Sequence, residues 1–249
     1  MSFKNMKNLL LTISYDGTNY HGWQVQKNAQ TVQQVFGEAL KKLFGRDIDI
    51  KGCSRTDSRV HANKYCVSFK VETDMGCENI LMALNTYLPP DIAVTDCKCV
   101  ADDFHARYSV KEKEYVYKIY NGPVRDPFSV NYAFWYRYNI DVDYLNREAQ
   151  AFVGTHDFRG FCSAHSDVQG TVRTVSSFKV EREGNFVVFT VRANGFLYNM
   201  VRIMVGTLLF VSEGKIKEGE LKAVIASGER KRAGKTAPPQ GLYLNDVIY

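Results

Sequence analysis

The amino-acid sequence predicts an α+β fold in two halves, each laid out in the order β-α-β-β-α-β. Three patterns carry this expectation. Lys64 to Glu72 alternates with the period of a strand: Tyr65, Val67, Phe69 and Val71 on one face, Cys66, Ser68 and Lys70 on the other. Thr31 to Phe44 and Cys77 to Leu88 read as helices, stopped by Gly45 and by Pro89-Pro90 respectively. Val172 to Glu181 and Phe186 to Ala193 flank Gly184-Asn185, the signature of a hairpin.

The remaining elements follow in order. Asn8 to Tyr15 is the first strand. Thr31 and Gln34 make a capping box for the first helix, whose apolar residues recur at Val35, Phe36, Ala39, Leu40, Leu43 and Phe44. Asp47 to Ser54 is a short strand, and Asp91 to Val100 closes the half, giving the ferredoxin-like split unit. In the second half Glu112 to Tyr120 is a strand with Tyr115, Tyr117 and Ile119 on one face. Asp141 caps a helix reaching Val153. After the hairpin come an apolar helix from Asn199 to Val211 and a closing strand from Leu242 to Tyr249. The halves are expected at 1–105 and 106–249, forming an extended mixed, mainly antiparallel sheet with helices packed on it. No repeat is visible residue by residue, so the doubling is one of architecture.

Composition narrows the class. The 249 residues are 45% hydrophobic and 24% charged, the profile of a soluble globular protein with ample core. Lys and Arg outnumber Asp and Glu 32 to 27, for a formal charge of +5 and a pI near 8.8. That excess permits an acidic partner such as RNA without demanding one. The leading residues Met1 to Lys7 lack the apolar core of a signal peptide, and the apolar run Ile203 to Val211 is too short to cross a bilayer. Of six cysteines none forms a CxxC pair, and no His follows at zinc-finger spacing. The expectation is a cytoplasmic protein with reduced, mostly buried thiols, no metal and no membrane partner.

Ser54-Arg55-Thr56-Asp57-Ser58-Arg59-Val60-His61-Ala62 is the stretch richest in chemistry. It sets an Asp, two Arg and a His between two apolar runs, without the Gly, Asn or Pro of an ordinary turn. Such crowding fits a loop held in place for chemistry, although a solvated loop with an internal ion pair is the commoner fate of such clusters. Far downstream, Arg202 is the one charge in the apolar body of its helix, surrounded by Met200, Val201, Ile203, Met204 and Val205. A cation near a helix N-terminus opposes the helix dipole and calls for an anion. Asp57 is the candidate, and pairing with Arg202 would keep it ionised. An ionised Asp without metal or phosphate loop is suited to act as general base or nucleophile.

Gly52 to Ala62 closely resembles the catalytic segment of the TruA family of tRNA pseudouridine synthases. Four further blocks are similar to the family's motifs in order: Tyr15 to Gln24, Asp103 to Ser109 with Tyr115-Val116-Tyr117, Ala193 to Arg202, and Gly241 to Leu244. The resemblance implies a pseudouridine synthase fold and an isomerase that converts uridine to pseudouridine at positions 38 to 40 of the tRNA anticodon stem-loop. It implies no cofactor or metal, and a homodimer in which one tRNA contacts both subunits. Asp57 is then the essential carboxylate, Tyr115 packs on the target base, Arg202 pairs with Asp57, and Arg55 and Leu242 join them in binding substrate. The carboxylate can attack the sugar or the base, or remove a sugar proton; all three remain open.

One departure stands out. Where the family more often has Ala-Gly after the Asp, this chain has Ser58-Arg59. Glycine takes backbone angles that arginine does not, so either the loop backbone differs or Arg59 turns to a phosphate. The densest basic patch is Arg230-Lys231-Arg232 with Lys235, and Arg107, Lys111 and Lys113 are further candidates for phosphate contact. His156, Asp157 and Phe158 are expected in a loop near the RNA, and His21 and His61 in structural roles. A non-catalytic RNA binder on an RRM-like scaffold is the alternative, but no run fits the RNP1 pattern. A small-molecule enzyme on the same frame is a second.

Overall fold

The computed structural model describes residues 5–163 and 170–249. The first four residues of the leading segment lie outside this range. Two compact units divide the chain: Met1–Lys111 together with Leu244–Tyr249, and Glu112–Tyr243.

The first unit runs β1 (Met6–Tyr15), α1 (Val32–Phe44), β2 (Lys51–Gly52), β3 (His61–Glu72), α2 (Cys77–Tyr87) and β4 (Ile92–Cys99), in the expected order. β1 is central, antiparallel to both β3 and β4, and β2 lies antiparallel on β3. The C-terminal strand, β10 (Leu242–Ile248), follows β3 in the sheet order. The α1 caps form as the residue types dictate. Thr31 Oγ1 accepts the Gln34 N–H at 3.4 Å, and Gly45 closes the helix in the left-handed region at φ 72°, its N–H reaching Lys41 O. The reciprocal arm of the capping box is absent, because the Gln34 side chain donates to Glu38 at 3.2 Å.

Two expectations about this unit need correction. The strand expected over Asp47 to Ser54 shrinks to Lys51–Gly52, which alone meet Ser68 and Val67 of β3. β3 is also covered on both faces in its middle. Cys66 and Ser68 are as buried as Tyr65 and Val67, and Ser68 Oγ accepts the Ala106 N–H at 2.9 Å from the segment that follows β4.

The second unit contains β5 (Glu112–Tyr120), β6 (Phe134–Trp135), α3 (Val142–Ala149), β7 (Gly154–Asp157), β8 (Val172–Glu183), β9 (Phe186–Ala193), α4 (Met200–Ser212) and α5 (Leu221–Ser227). Its sheet runs β5-β9-β8-β7 with antiparallel neighbours, and β6 joins β5 in parallel. Asp141 caps α3 by accepting the Tyr144 N–H at 2.9 Å. The helix ends at Ala149 and tightens into a 3-10 turn over Gln150–Phe152, short of the expected Val153. Phe152 is buried there against Phe158, Phe161 and Phe178, each burial contributing roughly 1.5–3 kcal/mol. α4 is buried nearly all round. Gly206 is the reason the segment 234–237 can lie against it: a Cβ there would sit 1.7 Å from Lys235 O. Thr207 Oγ1 then accepts the Gly234 N–H at 2.8 Å.

The thiols depart from the expectation of burial. Cys53 and Cys66 are buried, but Cys77, Cys97 and Cys162 are half-exposed and Cys99 is exposed. Cys97 and Cys99 lie on β4, an edge strand whose later residues face water. Among the described residues no helix is long and apolar enough to cross a membrane, and no cluster of three or more His, Cys, Asp or Glu is placed to hold a metal ion.

Candidate active site

The loop bearing Asp57 joins β2 to β3 and is tied at its start to β3 and at Thr56, Ser58 and Arg59 to β1 and the segment after it. Cys53 N–H donates to Cys66 O at 2.9 Å, and the Tyr65 hydroxyl donates to Ser54 O. Thr56 is buried, its hydroxyl 2.8 Å from that of Tyr15 and its carbonyl accepting the Trp23 N–H at 3.2 Å. Trp23 in turn stacks on Tyr65 with ring centroids 4.1 Å apart. Two glycines make this approach possible. A Cβ on Gly17 would lie 2.0 Å from Val60 O, and one on Gly22, already at φ +82°, would lie 2.3 Å from Thr56 O. Asp57, half-buried, stands at the turn, its carbonyl accepting the Val60 N–H at 3.2 Å.

Arg59 resolves the question its position raised. It holds φ +65°, the left-handed backbone that glycine adopts freely, with its N–H bonded to Tyr20 O at 3.1 Å and its side chain exposed. Arginine therefore occupies a glycine-like backbone conformation, at a cost of about 1 kcal/mol. Tyr20 is itself fixed: its hydroxyl donates to Asp91 at 2.7 Å, and burial together with that carboxylate pushes its pKa well above the usual phenol value. His61 is buried at the start of β3, with Nδ1 3.0 Å from the Gly17 N and 3.1 Å from Asp16 Oδ1. Arg55 is exposed within the same loop.

In the second unit, Tyr115 is buried on β5 with its ring edge-on to Phe196 at 5.0 Å. Arg202 is half-buried in the first turn of α4. Its Nε donates to Ala237 O at 2.7 Å and its Nη1 to Asn199 Oδ1 at 2.6 Å, while Ala237 N–H returns a bond to Arg202 O at 3.1 Å. The sequence gives no sign of these two neutral acceptors beside the anion expected for this guanidinium. Asn199 stood in a recognised motif, but nothing local marks Ala237. Leu242 is buried at the head of β10.

The basic candidates differ in what they are free to do. Arg107 is exposed with its guanidinium 5.8 Å from the ring centre of the exposed Tyr108. Lys231 is exposed and pairs with Glu229 at 3.2 Å; Arg232 is exposed. Arg230 is half-buried and structural, donating to Gly234 O at 2.8 Å and to Thr236 Oγ1 at 3.2 Å, and burial lowers its pKa. His156 and Asp157 lie on strand β7 and Phe158 is fully buried, which corrects the expected loop. The Asp157 carboxylate takes bonds from Arg159 and Thr171, which together lower its pKa to about 2.

A family model described as tRNA pseudouridine synthase matches residues 11–109 and 149–249. Over 244 residues, 98% of this chain and the whole of each relative, the sequence is 47% identical to tRNA pseudouridine synthase A of a Thermoanaerobacter species. It is 45% identical to the protein of that name from Caldicellulosiruptor bescii and 43% identical to that from Clostridium acetobutylicum, over the same length and shares. Among solved structures, "Crystal Structure of a Cbf5-Nop10-Gar1 Complex" matches 94% of this chain and 57% of that one at a TM-score of 0.40 and 12% identity, a likeness too distant to bear on the site. With a matching model over most of its length and relatives aligned end to end, the chain belongs to the tRNA pseudouridine synthase family and is an isomerase.

Proposed function

We propose that the protein isomerises uridine in the anticodon stem-loop of tRNA, at positions 38 to 40, with Asp57 as its essential carboxylate. The observation that carries this reading is the Asp57 loop itself: a half-buried carboxylate on a turn whose neighbours are bonded to β3 and to the segment around Tyr20 and Trp23. A group that must meet one sugar or base atom needs such preorganisation. The reaction breaks the bond between uracil N1 and the ribose, turns the base and rejoins it through C5, which gives up its proton to solvent while N1 takes one up.

The other roles are those the family resemblance implies. Arg202 pairs with Asp57 and keeps it ionised. The base leaves its stack at a cost of a few kcal/mol, and packing on Tyr115 returns about 1–3 kcal/mol. Arg55 and Leu242 complete the substrate contacts. Arg59, Arg107, Lys231 and Arg232 are suited to phosphates, with Arg230 shaping the loop that carries the last two. The protein acts as a homodimer in the cytoplasm, without metal or membrane partner.

The test is tritium release from anticodon stem-loop RNA labelled at uracil C5. Wild type should release tritium, and Asp57→Asn should bind the RNA yet release none. A wild-type protein inactive on every tRNA tried would sink the proposal, leaving an RNA binder without catalysis.

A further inference from the structure

Asparagine is among the best helix N-caps because its side chain accepts a bond from the first-turn amides. Asn199 holds the N-cap position of α4, yet its side chain makes no capping bond. Its backbone is left-handed at φ +63°, one of two such non-glycine residues among the described ones. Glycine would meet that backbone demand with less strain. The asparagine side chain must therefore be explained by what it touches: Oδ1 accepts from Arg202 Nη1 at 2.6 Å, and Nδ2 donates to Ser163 Oγ at 2.8 Å.

We propose that Asn199 is a positioning residue that aims the Arg202 guanidinium. The inference rests on the reading that Arg202 serves Asp57. The Asn199 amide and the Ala237 carbonyl hold two edges of the fork, at Nη1 and Nε. Both acceptors are neutral, so they orient the cation without cancelling its charge. Ser163 sets the amide's orientation: with Nδ2 committed to its hydroxyl, Oδ1 faces the arginine. Within this unit Tyr117 also feels Arg202; its hydroxyl donates to Pro238 O at 2.7 Å and stays protonated because burial outweighs the nearby cation.

Two substitutions separate backbone from side chain. Asn199→Gly keeps the left-handed turn and deletes the acceptor, so the protein should melt at or above the wild-type temperature. Its kcat on tRNA should nevertheless fall about 10–100-fold with KM little changed, and the acid limb of the kcat profile should move to higher pH as Asp57 loses its aligned cation. Asn199→Asp keeps an acceptor but brings an anion that competes for Arg202, and should move the acid limb the same way even if Asn199→Gly proves unstable. A folded Asn199→Gly protein with wild-type kcat and pH profile, beside an inactive Arg202→Ala, would overturn the assignment of Asn199 alone. A fully active Arg202→Ala would instead overturn the role given to Arg202.

Discussion

Around Asp57 the unusual residues are those whose backbones do what their side chains discourage. Arg59 sits in the left-handed region beside the carboxylate, while Gly17 and Gly22 let the neighbouring strand end close on the loop. Replacing Arg59 by glycine should relieve the strain and raise stability by about 1 kcal/mol, read as a higher urea midpoint at unchanged slope. The same variant should bind tRNA more weakly, with the slope of log affinity against log salt shallower by about 0.9, as for one lost phosphate contact. Unchanged affinity and salt slope would remove Arg59 from the RNA surface. Sequence comparison flagged this position correctly but offered two outcomes. Its backbone angle is enforced by the Tyr20 carbonyl, a contact across 39 residues that no local pattern encodes.

At the scale of elements, α4 depends on the absence of a side chain at Gly206. Gly206→Ala would drive its Cβ into the Lys235 carbonyl and push away the 234–237 segment that holds Arg202. Overpacking of this kind costs about 1–3 kcal/mol, so chemical denaturation should show a loss in that range, together with reduced turnover. Strand β7 offers a pH test. Arg159 and then Thr171 hold the folded-state pKa of Asp157 at about 2, below its ordinary 3.8. A depressed pKa contributes stability that is present above the unfolded value and lost as pH falls through the folded one. The stability gap between wild type and Asp157→Asn should thus persist at neutral pH, narrow below about pH 4 and close near pH 2. Since Asp157 is about one-third exposed, the gap should be small. A gap constant over that window would show that the carboxylate's charge is not what matters.

Over the whole molecule, a formal charge of +5 is modest for a nucleic-acid enzyme, so affinity must come from a few placed cations. Binding of tRNA should weaken with salt along a log–log line of slope about −0.9 for each phosphate neutralised, the figure for duplex contacts. With Arg59, Arg107, Lys231 and Arg232 as the proposed contacts, the expected slope is between about −3 and −4. A flat response would place recognition in uncharged contacts. Arg230 is excluded from that sum because Gly234 and Thr236 already occupy its guanidinium.

The sequence by itself determined what local rules control. Periodicity placed β3 and β5, each long enough to show its period, and Thr31, Gly45, Pro89 and Gly184 bounded α1, α2 and the β8–β9 hairpin. Five ordered motifs identified the family before any contact was known. Tertiary structure decided the rest, for a common physical reason: the deciding partners are distant in sequence. β6 has two residues and β7 four, too short for any period, and they exist as strands only because β5 and β8 offer open backbone groups. Ser68 is covered by a segment nearly 40 residues on, and the left-handed turn at Arg59 is set by Tyr20. Arg202 announced itself as a charge needing a partner. That Asn199 and Ala237, both uncharged, hold its guanidinium could be read only once the 234–237 segment was seen folded back onto Gly206 of α4.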